Sequence, residues 1–181
     1  WGTTVQAKDK KIVIGAAAST FADKWLSFLH DGITKFGDEH DDVKIMMTDG
    51  RDDPGIQLGQ VETLLTQGVD AMMIVPVDIS TIGPMINSSK EAGVPIVVVN
   101  RLPEPEFVEQ IDVYCGSESI QAGIMQAEWV AEALQPDGGK IAIITGMPGH
   151  EAAMMRTEGN KQIFAKYENI EIVAETTARW Q

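Results

Sequence analysis

Gln67-Gly68-Val69-Asp70-Ala71-Met72-Met73-Ile74-Val75-Pro76-Val77-Asp78 is the stretch whose reading decides the fold. Gly68 ends a helical pattern, a short joint follows, and an apolar run of strand length occupies Ala71–Val75. Neither alternate set of positions in that run is polar. Both faces of the strand must therefore be covered, as in a parallel sheet flanked by helices. Ala92-Gly93-Val94-Pro95 repeats the joint and delivers the chain to another such run, Ile96–Val99. The echo is that of a repeating β-α unit and not of a solenoid period.

The same unit extends in both directions. Lys11–Ala17 and Val43–Met47 read as strands upstream, and Ile111–Cys115, Ile141–Thr145 and Ile170–Ala174 continue the series downstream. Between the first pair, Phe21, Trp25, Phe28, Leu29, Ile33 and Phe36 recur mostly at helical spacing, which predicts one apolar helix face. Pro54 opens the next helix, at a position where its missing N–H costs nothing. Ser117 can cap a long helix bearing Ile120, Ile124, Trp129, Val130 and Leu134, and Glu151–Tyr167 forms another. Apolar strands alternating with helices predict an α/β fold built on a parallel, doubly wound sheet.

The chain has 181 residues, 44% hydrophobic and 23% charged, with a net charge of −13. That is an ordinary globular mix. Nucleic-acid binding needs a basic face to neutralise phosphates, and no Lys/Arg cluster is present. An anionic membrane surface is disfavoured for the same reason, and no apolar run approaches the roughly 18–20 residues that span a bilayer. Trp1–Lys11 is polar and lacks the apolar core of a signal peptide. A secreted protein with its signal peptide removed looks this way, and so does a cytosolic protein. Cys115 is the single cysteine, so no disulfide forms within the chain, and its strand-like neighbours predict a buried, inert thiol.

Ligands of such sheets bind beyond the carboxyl ends of the strands. Those ends are polar here: Ser19-Thr20-Phe21-Ala22-Asp23-Lys24-Trp25, Asp49-Gly50-Arg51-Asp52-Asp53, Pro76-Val77-Asp78, Asn100-Arg101 and Gly146-Met147-Pro148-Gly149-His150. The last strand runs towards Arg179-Trp180-Gln181. Together they bring carboxylate, amide, guanidinium and aromatic groups to one rim. Those are the groups that pair with sugar hydroxyls and cover a ring's C–H face. Enzyme signatures are missing. Gly15-Ala16-Ala17-Ala18-Ser19 stands where a dinucleotide fingerprint would, and neither a P-loop nor a nucleophile elbow occurs. His30, His40 and His150 have no metal-ligand spacing, and Asp38-Glu39-His40-Asp41-Asp42 reads as a solvated helix end.

Phe21–Trp25, QGVDAMMIVPVD (67–78), AGVPIVVVNR (92–101), GSESIQAG (116–123) and GMPGHEAAMMRTEGN (146–160), in this order and spacing, resemble the type I periplasmic solute-binding proteins. The nearest branch is the ribose-, galactose- and inositol- or rhizopine-binding group. The resemblance covers nearly all of residues 10–181. It implies two α/β lobes joined by three chain crossings, with a sugar or polyol clamped between them and no enzymatic activity. It further implies that Asp23 and Trp25 lie in the first ligand loop. Asn100 and Arg101 match the polar pair that hydrogen-bonds ligand from the first lobe, His150 and Arg156 the second-lobe His and Arg of galactose-type proteins, and Trp180 the stacking aromatic. Plainer readings stand beside these. Trp25 fits the apolar helix series, Asn100 a turn, Arg156 an ion pair on its helix, and Trp180 a chain terminus. Asp78 and Glu118 read as solvated loop carboxylates, and Met154 and Met155 as helix packing.

Two departures shape the expectations. Gln135-Pro136-Asp137-Gly138-Gly139 lacks the alternating carboxylates of the galactose-type calcium loop, so no structural metal and no cofactor is expected. The chain also stops early for the family. Residues 1–116 are expected to form a complete or nearly complete N-terminal lobe and 117–181 a partial C-terminal lobe. A second copy in a homodimer, a swapped element or a missing C-terminal segment would complete it. The expected role is delivery of a monosaccharide or cyclic polyol to a membrane ABC permease or sensor, from a periplasmic or extracellular, membrane-associated position. The effector domain of a LacI-type transcription regulator and the sugar-sensing domain of a membrane receptor are the alternatives.

Overall fold

Each of the first two helices begins on an aspartate. Asp23 accepts the backbone N–H groups of Trp25 and Leu26 to cap α1 (Lys24–Glu39), and Asp53 accepts those of Gly55 and Ile56 to cap α2 (Pro54–Thr66). These caps lie just past the strands β1 (Ile12–Ala18) and β2 (Val43–Asp49). A computed structural model describes residues 11–178. The chain continues through β3 (Ala71–Ile74), α3 (Gly83–Glu91), β4 (Ile96–Val99), a short α4 (Pro105–Val108) and β5 (Val113–Cys115). Then follow α5 (Ser119–Ala133), β6 (Gly139–Thr145), α6 (Glu151–Phe164) and β7 (Ile170–Thr177).

The first five strands form one sheet in the order β2-β1-β3-β4-β5, with every pair parallel. Alternate residues serve opposite faces. Met72, Ile74, Ile96 and Val98 pack with Val61 and Leu64 of α2 and Met85 and Ile86 of α3. Val75 and Val99, with Met73 and Val97, pack instead with Leu26 and Leu29 of α1. The sheet is thus wound on both sides, as the unbroken apolar runs predict. Gly68 takes a φ of +78° just past the end of α2, a conformation that needs no Cβ and stops the helix there.

The last two strands pair in parallel as a separate sheet, β6-β7. Ile141 and Ile170 of this sheet pack with Ile163 and Phe164 of α6 and with Ala127 and Ala131 of α5. Glycines set how closely α5 and α6 cross. A Cβ on Gly123 would meet the Arg156 backbone, and one on Gly159 would meet the backbone of Ile120 and Ile124. Outward-facing residues of this sheet are wet: Ile144 is 68% exposed and Val173 50%.

Several local expectations fail. Leu26 and His30, not the aromatic series, are the buried residues of α1, and Trp25, Phe28 and Phe36 are exposed. Spacing identifies a helix face but not what that face meets. Ser117 caps nothing: Glu118 holds the N-cap position of α5 and makes no side-chain cap bond. Cys115 is exposed rather than buried, because β5 is the edge strand of its sheet. Met154 is also exposed, on the outer side of α6.

The contrast between the sheets is measurable. Ile74, with no exposed surface, sits between two helices, and Ile144 faces water. Ile74→Ala is expected to cost about 2–5 kcal/mol in denaturant unfolding through the cavity it leaves. Ile144→Ala should change stability by no more than about 0.5 kcal/mol.

Candidate functional site

The segments at or beyond the carboxyl ends of β1, β4, β5 and β6 line a cavity of about 780 Å³. Asp23, Trp25, Asn100, Arg101, His150 and Arg156 all line it. Six of the seven sequence-derived positions therefore meet, although the chain separates Asp23 from Arg156 by most of its described length. Trp180 lies outside the described residues. Phe28, Leu29 and Val99 add an apolar wall, and Lys24 stands 5.0 Å above the Phe28 ring.

Each polar group is held by a definable local cause. The first-turn N–H groups engage Oδ1 of Asp23 and so fix its carboxylate at the mouth of α1. Asn100 occupies the left-handed region at φ 68°, which asparagine tolerates better than most residues. Its N–H donates to the Cys115 carbonyl at 2.8 Å and its carbonyl accepts from the Tyr114 hydroxyl at 3.2 Å. That turn sends Arg101 inward. Arg101 is only 4% exposed, and Nη1 donates to the Pro76 carbonyl at 2.6 Å and the Val77 carbonyl at 3.2 Å. Asp52, Asp23 and Asp78 supply the negative field around its guanidinium, whose pKa burial lowers. Asp52 in turn is raised by burial, against the pull of Arg101.

The second sheet contributes from β6 and α6. His150, at the N-cap of α6, is buried at 6% exposure. Burial first, and then the positive charge of Arg101, push its pKa down to about 4 against the opposing pull of Asp23 and Asp78. Glu151 beside it accepts from the Ser119 hydroxyl at 2.8 Å, and burial raises its pKa. This bond ties α5 to the start of α6. Arg156 follows on the cavity side of α6, and its Nε is a buried donor with no hydrogen-bond partner. Such an orphan is costly in a finished core and is a site feature where a ligand can satisfy it.

Asp78 is not the solvated loop carboxylate expected. It is half-buried and contributes to the field at both Arg101 and His150, while its Oδ1 accepts from Ser80. Gln57 was also missed. It is fully buried and bonds to three backbone groups behind the rim. Among the described residues no cluster of His, Cys, Asp or Glu has the arrangement of a metal site.

Residues 14–181 match the family described as periplasmic binding protein domain. A putative rhizopine-binding protein of Rhizobium meliloti is 32% identical over 172 residues, covering 93% of this chain and 55% of that protein. A ribose import binding protein of Bacillus subtilis is 33% identical over 150 residues, covering 83% of this chain and 48% of its own length. An ABC transporter solute binding protein from Bacillus halodurans, solved with bound myo-inositol, superposes with a TM-score of 0.88 at 36% identity. That match covers 96% of this chain and 59% of the solved one. The chain spans about half the length of the curated relatives it matches.

His150 provides a test of the site's geometry. A hydrated histidine protonates near its ordinary value of about 6.5, whereas His150 in place stays neutral until about pH 4. The neutral, buried arrangement is therefore fully stable above about 6.5 and is lost progressively as pH falls from there towards 4. An NMR titration of the His150 ring is expected to give a midpoint near 4. A midpoint at or above the ordinary value would mean the ring is hydrated and apart from Arg101.

Proposed function

The chain belongs to the periplasmic binding protein domain family over residues 14–181, and from that premise we propose that it binds a monosaccharide or an inositol-like cyclic polyol without chemical turnover. In this reading it is the solute-binding component of an ABC importer and works outside the cytoplasmic membrane. The lobes divide near residue 116, with 1–116 as the N-terminal lobe and 117–181 as part of the C-terminal one. Among the described residues no helix is long and apolar enough to cross a membrane. In this reading the membrane partner is the importer's permease.

One observation supports the reading above the others. A cavity large enough for a sugar ring gathers a carboxylate, an amide, two guanidinium groups and a neutral imidazole opposite an exposed indole. A polyol presents alternating donors and acceptors around an apolar ring face, and each hydroxyl needs a partner once it leaves water. Asp23 and Asn100 accept, Arg156 and Arg101 donate, and neutral His150 adds an imidazole edge to the same cavity. Trp25, at 59% exposure, offers its indole face to ring C–H groups. A site of this kind rejects analogues that lack a hydroxyl, because its own buried groups then go unpaired. Trp180 is assigned to the same clamp as a second stacking aromatic.

Calorimetry against myo-inositol, ribose, xylitol and galactose tests the proposal. Binding of at least one, with myo-inositol strongest, is the expected result. Arg156→Ala should weaken it by roughly tenfold to a hundredfold, the cost of a charged hydrogen bond. Trp25→Ala and Trp180→Ala should weaken it in the same direction. No heat from any of the four solutes, or unchanged titrations for all three variants, would overturn the reading.

A further inference from the structure

We infer that Gln57 is a positioning residue that aims Arg101 at the binding cavity through a single peptide group; the inference rests on the binding role proposed for that cavity. The pairing of β1 with β3 runs as far as the Val75 N–H, which donates to the Ala17 carbonyl at 3.0 Å. Gln57, with no exposed surface, sits at that end of the ladder. Its Nε2 donates to the Val75 carbonyl at 2.8 Å and the Ala17 carbonyl at 3.2 Å. Its Oε1 accepts the Val77 N–H at 3.0 Å.

That N–H belongs to the peptide group whose other end is the Pro76 carbonyl, and the Pro76 carbonyl accepts Nη1 of Arg101 at 2.6 Å. The order is therefore amide oxygen, peptide N–H, peptide C=O, guanidinium. Donor and acceptor within one peptide plane are rigidly opposed. Fixing the N–H from behind fixes the direction of the carbonyl in front. Bonds in such a chain also polarise one another where water is excluded. Without the Gln57 oxygen, nothing else in the described residues is seen to accept the Val77 N–H. The plane is then free to turn, and Arg101 loses its stronger anchor.

Two substitutions separate positioning from plain structural support. Gln57→Met removes both the acceptor and the donors at similar volume. Gln57→Glu keeps the acceptor for Val77 but sets a buried carboxylate against two carbonyls, so it should lower the melting temperature more than Gln57→Met does. Positioning reverses that order for the site. With the NMR signals of the Arg101 guanidinium assigned by Arg101→Lys, Gln57→Met is expected to lose their exchange protection and to bind myo-inositol about tenfold more weakly. Gln57→Glu should keep the protection and stay within about threefold of the parent. The proposal is overturned if folded Gln57→Met keeps Arg101 protected, or if affinity falls in the same order as stability. Should Gln57→Met not fold, Gln57→Asn, whose amide is one methylene too short to reach Val77, takes its place with the same expectations. If the parent does not bind myo-inositol, the functional reading has failed, and the Arg101 signals alone decide the positioning role.

Discussion

A guanidinium has been taken out of water at the centre of this structure, and the surrounding geometry follows from that. Burying a cation is expensive unless hydrogen bonds and counter-charge replace its hydration. Arg101, at 4% exposure, receives both. The carbonyls of Pro76 and Val77 take its Nη1, and the carboxylates of Asp23, Asp52 and Asp78 supply the opposing field. These groups come from the segments that follow three strands, β1, β2 and β3, so satisfying one side chain that follows β4 draws three other loops to it. The same point lies beside His150, whose imidazole is held neutral first by burial and then by the positive charge of Arg101, against the pull of Asp23 and Asp78.

Much of this arrangement was legible in the sequence, for a physical reason. Parallel strands covered on both faces must be apolar throughout, so the polar residues that end them stand out. Asn100 and Arg101 follow directly on an apolar run, Asp23 and His150 stand in the loops a few residues past one, and topology brings such ends together. Arg156 and Trp25 came from resemblance and sit in helices, where spacing alone does not say which neighbour they meet. The failures share one cause. Cys115 is exposed because β5 lies at the sheet edge, and a strand's neighbours in space are not written in its own residues. The aromatic series of α1 shows the right spacing, but its aromatics on the cavity side, Trp25 and Phe28, are not the residues buried against the sheet.

Gln57 is instructive in the other direction. Gln57, Val61 and Leu64 are the buried residues of α2, spaced as a helical stripe facing the sheet. A glutamine in an apolar stripe marks a place where buried backbone groups need a partner, and here those are the Val75 carbonyl and the Val77 N–H just past β3. The signal was present in the spacing. Composition alone points instead to the apolar neighbour Ile56 as the inward residue, and Ile56 is 40% exposed.

Cys115, the chain's single cysteine, is exposed, ends β5 and lines the cavity, and its carbonyl accepts the Asn100 N–H. One accessible thiol at the edge of such a cavity gives a unique attachment point for an environment-sensitive dye. Emission from such a conjugate depends on local polarity and crowding, both of which change when a molecule displaces water there. The molecule thus carries, without redesign, the chemical handle of an optical reporter for whatever occupies it.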